Sequence, residues 1–146
     1  NCEVVMSLAS RNFTITEITH RELPQDMFYH NAAAFQMGAM QMIRNLIKKR
    51  FQKDIPITIT SGYRSQEVNN NTPGSAKKSN HIWGLDDGFR LKTANDFVVD
   101  GSQVDPYEVY CYLKDVLGGE IELIYYEKTK HFHISPSQAK EAFIQR

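Results

Sequence analysis

Residues Glu120–Ser135 read EIELIYYEKTKHFHIS. Apolar, β-branched and aromatic residues on either side of a polar EKTK segment predict two short strands joined as a hairpin. On the second strand His131 and His133 are two positions apart, so both imidazoles point to the same face. Two imidazoles on one face begin a metal site, because zinc favours nitrogen donors at about 2.0–2.1 Å. One can ligate while the other hydrogen-bonds to a substrate. Glu127 ends the first strand, across the turn from the histidines. A carboxylate beside a metal-activated water serves as general base and then passes the proton to a leaving amine.

Upstream, IPITIT (Ile55–Thr60) alternates apolar and polar residues and reads as a strand. SGYRS (Ser61–Ser65) follows it directly, so Arg64 is held near rigid backbone, where its planar fork suits a free carboxylate. The polar stretch from Ser61 to Asn80 is long for a loop inside a compact domain, a length that points to function or disorder. HIWGLDDGFRL then predicts a strand entered through Gly84. It brings a second cluster of Ser79, His81, Asp86 and Asp87. A carboxylate with two imidazoles leaves a fourth tetrahedral position open, the catalytic form of a zinc site.

The remaining elements are helical. Asn31 to about Phe51 carries Ala34, Met37, Met40, Met42, Ile43, Leu46 and Ile47 at helical spacing, with the methionines as core filler and a basic KKR end suited to the helix dipole. Asp105 and Pro106 open a second helix that runs to a Gly stop, and SPSQAKEAFIQR predicts a short closing helix. The expected class is α+β, a small antiparallel sheet with flanking helices, in one domain over residues 1–146 with 1–12 as a lead-in or linker.

Composition narrows the function. The 146 residues carry a formal net charge of zero, which argues against nucleic acid or an anionic membrane as partner, the Lys77/Lys78 loop notwithstanding. No apolar run approaches the ~20 residues of a membrane span. The start, NCEVVMSLAS, lacks both a signal-peptide pattern and an initiator Met, as expected of a processed product or a piece of a larger chain or assembly. Cys2 and Cys111 are too few for a disulfide scaffold, and Cys111 is expected as a buried free thiol.

In order and spacing, SGYRS (Ser61–Ser65), GSAKKSNHIWG (Gly74–Gly84) and HFHIS (His131–Ser135) resemble the zinc D-Ala-D-Ala carboxypeptidase family and its relative, the Hedgehog signalling domain. The family pattern is a strand into S-G-Y-R-S, then G-G-A-x-x-S-x-H-x-x-G-x-A-x-D, and an H-x-H pair late in the sequence. The hairpin YYEKTKHFHIS is similar to that of the Hedgehog domain. The resemblance implies a Hedgehog/DD-peptidase fold, a zinc cofactor and a peptidoglycan stem peptide as substrate, met at a cell-wall-facing location. It implies His81 and His133 as zinc ligands, Arg64, Ser79 and Tyr63 as substrate-binding residues, Glu127 as general base and His131 as the group that steadies the oxyanion. One position departs from the pattern. Without gaps the third ligand falls at Gly88, and the usual Ala two residues earlier is Asp86. A one-residue deletion would put Asp87 in the ligand role, with Gly88 allowing a bulge. Asp86 reaching in from the same strand face is one alternative. A lost carboxylate is the other, leaving an impaired domain that serves as a peptide- or protein-binding module. Asp87 is the favoured ligand.

Overall fold

The computed structural model describes residues 11–146, and the expectation for Cys2 lies outside them. A capping box opens α1 (Ile15–Thr19). The Thr14 hydroxyl accepts from the Glu17 amide, and the Glu17 carboxylate accepts from the Thr14 amide. α2 (Met27–Phe51) begins before the expected Asn31 because the Asp26 carboxylate caps it, accepting from the Phe28 amide at 2.9 Å. Its buried stripe includes Ala33, Met37, Met40, Ile43 and Ile47, whereas Met42 is exposed, so the methionines divide between core and surface.

β1 (Ile57–Ser61) buries Ile57 and Ile59 and exposes Thr58 and Thr60, as the alternation predicts. One helical segment, α3 (Gln66–Asn70), breaks the long polar stretch. β2 (Gly84–Leu85) and β3 (Leu91–Lys92) form a small hairpin, and β4 (Asn95–Val99) follows at once. α4 (Pro106–Leu117) carries the expected Asp105 cap and Pro in its first turn. β5 (Glu122–Tyr126) and β6 (His131–Ser135) are the expected hairpin, and β7 (Phe143–Gln145) ends the regular structure. The main sheet runs β1-β4-β6-β5-β7, antiparallel except that β7 lies parallel to β5.

Three elements differ from expectation. HIWGLDDGFRL is not one strand. It folds back on itself as the β2–β3 hairpin, because the Asp86 carboxylate accepts from the Gly88 and Arg90 amides and so builds a turn. β4 lies where the residue pattern predicts no strand. Nor is the closing segment helical: Phe143–Gln145 pair with β5, whose open edge satisfies their backbone groups better than an isolated short helix would. Cys111 is free but only half-buried.

Sheet register separates two faces. On the core face Phe97 lies opposite Phe132, their rings stacked at 5.0 Å, and Tyr125 lies opposite Phe132 on its other side. Burial of such side chains contributes roughly 1.5–3 kcal/mol each. Shifted by one residue, the other face brings Asp96 opposite His133 and Ile124 opposite His133 from the far side. That second face carries the chemistry.

Candidate metal centre

Asp96 on β4 and His133 on β6 are direct cross-strand neighbours, and Asp96 Oδ1 lies 3.0 Å from His133 Nδ1. His81 arrives from the loop before β2. Its Nε2 lies 3.1 Å from the same Asp96 Oδ1, and the two imidazole rings are 5.1 Å apart. One ligand atom from each of the three residues lies within 4.8 Å of the others. His81 and His133 are buried, and the Asp96 side chain is 17% exposed.

The outer nitrogens are engaged too. His81 Nδ1 donates to the Gly62 carbonyl at 2.8 Å, which keeps a proton on Nδ1 and turns Nε2 toward Asp96 as the ligand atom. Gly62 is pressed against α1: a Cβ there would sit 2.0 Å from the Ile18 carbonyl oxygen. The loop is pinned further where the Arg64 amide donates to the His81 carbonyl, and the His81 amide to the Ser79 hydroxyl. His133 Nε2 lies 2.6 Å from Glu122 Oε1, and the other oxygen of Glu122 pairs with Lys140 Nζ at 2.8 Å. An imidazole that offers one nitrogen to a metal and the other to a carbonyl or carboxylate is the arrangement that orients a zinc ligand. The donor set N, N, O with convergent atoms fits zinc, which His81, Asp96 and His133 would hold.

Electrostatics follow from these contacts. Burial raises the Asp96 pKa, but its contacts with the His133 and His81 imidazoles outweigh it and hold the carboxyl well below the usual range. Burial likewise raises Glu122, and His133 and Lys140 bring it down to about 2. Burial disfavours the charged form of His133, yet its bonds to Asp96 and Glu122 push it up to about 9.

The centre opens into a cleft of about 480 Å³ whose lining includes Arg64, Ser79, Tyr126, His131 and Lys140. Arg64 Nη1 donates to Asn69 Oδ1 at 3.1 Å, while its Nε is buried without a protein partner. An unpaired buried guanidinium N–H costs free energy, and a ligand carboxylate would satisfy it. His131 stacks on Tyr126 at 4.2 Å with its Nδ1 against the Thr129 hydroxyl, and burial lowers its pKa.

Several expected roles are corrected. The acid between the imidazoles is Asp96, not Asp87, which is exposed in the turn of the β2–β3 hairpin; Asp86 builds that turn. Position 96 is eight residues beyond 88 (96 − 88), and Ala94-Asn95-Asp96 supplies the A-x-D of the family pattern after the hairpin is passed over. Tyr63 does not line the cleft. It is buried edge-on between Tyr29 and Trp83, at 5.7 and 5.8 Å. Glu127 is exposed beside Arg146, its carboxylate 3.2 Å from Nη1, and lies outside the cleft lining because strand alternation puts Glu122, Ile124 and Tyr126 on the site face. Glu122 and Lys140 join the site without a motif to mark them. Hairpin register alone brings Glu122 to the His133 face, whereas nothing in the sequence ties Lys140 to it.

No helix among the described residues is long and apolar enough to cross a membrane. The chain matches no curated protein and no solved structure. A family model described as Peptidase M15 matches residues 11–135, a span that takes in α1, the SGYRS segment, the inserted hairpin and all three convergent residues. With the A-x-D element restored at Ala94–Asp96, the departure at Gly88 becomes an insertion rather than a loss, and the chain belongs to the peptidase M15 family.

Proposed function

We propose that this chain is a zinc-dependent peptidase acting on peptidoglycan stem peptides, as a D-Ala-D-Ala carboxypeptidase or endopeptidase. The observation that carries the reading is the convergence of His81, Asp96 and His133 at one end of a cleft that also holds the unsatisfied Arg64 Nε. Zinc bound there would supply Lewis-acid polarisation of a carbonyl and an acidified water. Arg64 takes the terminal carboxylate of the substrate, oriented by Asn69. His131, kept neutral by burial, accepts a proton from the attacking water through Nε2 while Nδ1 holds the Thr129 hydroxyl. As an imidazolium it then steadies the oxyanion and returns the proton to the leaving amine. Such a substrate would be met on the cell-wall side, with the chain alone or within a larger assembly.

A second reading, a metal- and peptide-binding module without turnover, is favoured by one observation: the carboxylate expected as base, Glu127, is paired with Arg146 outside the cleft. Incubation of the zinc-loaded chain with a peptide ending in D-Ala-D-Ala separates the two. Release of D-alanine that a chelator abolishes supports the peptidase. Peptide bound but left intact supports the module and contradicts the peptidase reading.

A further inference from the structure

The segment after β6 returns to the metal centre and is tied to the inserted hairpin. Ser137 Oγ donates to the Leu91 carbonyl, and Gln138 Nε2 donates to the Leu91 carbonyl at 3.1 Å and to Asp86 Oδ2 at 3.2 Å. Two residues on, Lys140 Nζ lies 2.8 Å from Glu122 Oε2, and the other Glu122 oxygen receives His133 Nε2 at 2.6 Å and Asn80 Nδ2 at 3.1 Å. Residues 137–140 lie beyond the span that matches the family model, and the hairpin lies between His81 and Asp96, where the spacing is eight residues longer than in the family pattern. Two features outside the family pattern thus meet each other, and together they reach a ligand of the metal centre.

We infer that Lys140 is a positioning residue for the metal centre, fixing Glu122 so that His133 presents Nδ1 toward Asp96 and His81, and that the Asp86–Gln138 contact latches Lys140 in place. The inference rests on the metal-binding reading of the three convergent residues. Glu122 is buried and has two oxygens to satisfy. With Lys140 holding one, the other stays on His133 and the ring cannot turn about its Cβ–Cγ bond without breaking that hydrogen bond. Without Lys140, Oε2 loses its partner, only Asn80 is left to steady the carboxylate beside His133, and the group can turn toward solvent, which loosens the constraint on the imidazole. Loss of an outer partner of a metal ligand typically costs about 10–100-fold in affinity. The exposed ammonium makes the lower end, about tenfold, the expected value here.

Zinc dissociation constants, measured by competition with a chromophoric chelator, test this for the whole chain and its Lys140→Met, Lys140→Arg, Asp86→Ala and Asp87→Ala variants. Affinity should fall about tenfold in Lys140→Met, recover in Lys140→Arg, and fall several-fold in Asp86→Ala but not in Asp87→Ala. A Lys140→Met variant that binds zinc as tightly as the parent overturns the inference. The imidazole N–H resonance of His133 in the metal-free protein provides a readout independent of zinc. A slowly exchanging proton in the parent that is lost in Lys140→Met supports positioning, and an unchanged signal contradicts it. Should the parent bind no zinc, the metal-centre reading falls and this second measurement still decides whether Lys140 holds the Glu122–His133 pair.

Discussion

His81 and His133 meet on a single oxygen: Asp96 Oδ1 lies 3.1 Å from Nε2 of the first and 3.0 Å from Nδ1 of the second. One of these contacts comes from strand register and the other from a loop docked on Gly62, so separate features of the fold converge there. The expected consequences can be checked one at a time.

Gly62→Ala should destabilise the fold by about 2–3 kcal/mol or more, because overpacking against backbone cannot be relieved by a side-chain rotation. The new Cβ would overlap the Ile18 carbonyl oxygen and push away the carbonyl that His81 Nδ1 uses. Chemical denaturation of the metal-free protein reads the stability loss, and a fall in zinc affinity should accompany it.

The pH response of the metal-free protein carries a definite sign. His133 has its folded pKa raised to about 9, so its stabilising contribution is present in full below the unfolded value of 6.5 and is lost as pH rises through 9. The unfolding free energy from chemical denaturation should fall over that window, by on the order of 2–3 kcal/mol in total for the coupled group. Glu122, brought down to about 2, acts at the acid end: its contribution is present above the unfolded value of 4.5 and is lost as pH falls through about 2. Since zinc must displace the His133 proton, zinc affinity should rise by up to about tenfold per pH unit between about pH 6 and 8.

Arg64→Gln should raise KM for a peptide with a free C-terminal carboxylate by about tenfold or more, the worth of a charge-assisted bidentate contact. The same peptide as its C-terminal amide should be a poor substrate for the parent and respond little to the substitution. Steady-state kinetics on the acid–amide pair read the difference.

Glu127→Gln and His131→Ala should behave oppositely. Glu127 is exposed and paired with Arg146, so its substitution should change stability by about 0.5 kcal/mol at most and leave hydrolysis in place. His131→Ala should keep zinc and lose about 10²–10⁴-fold in kcat, the usual share of a general acid–base group. Hydrolysis lost in Glu127→Gln with zinc retained would return that residue to the mechanism.

Much of this is legible in the residues themselves. The hairpin from Glu122 to Ser135, the alternation of β1 and the Asp105 cap follow from local pattern, and the pairing of His81 with His133 follows from the resemblance to the family motifs. The third convergent residue, Asp96, is not, because the β2–β3 hairpin interrupts the spacing on which a motif depends. That hairpin carries its own acidic pair, Asp86 and Asp87, nearer to the expected position than Asp96 is. The strand NDFVV opens with two residues that seldom start strands, but Asn95 is buried to hold the Ile18 and Ser61 carbonyls and Asp96 faces the imidazoles, so tertiary contacts override propensity. The closing segment shows the same effect, since only the folded sheet presents the β5 edge to which Phe143–Gln145 bind. Lys140 belongs to that segment and is invisible in the sequence for the same reason.

The zinc content of the purified parent compared with Asp96→Ala and Asp87→Ala bears most directly on the account. The parent should contain about one zinc per molecule, Asp87→Ala should contain the same, and Asp96→Ala should weaken binding by more than the ~100-fold upper end seen for outer partners. Zinc retained in Asp96→Ala and lost in Asp87→Ala would contradict the assignment of the ligand to β4.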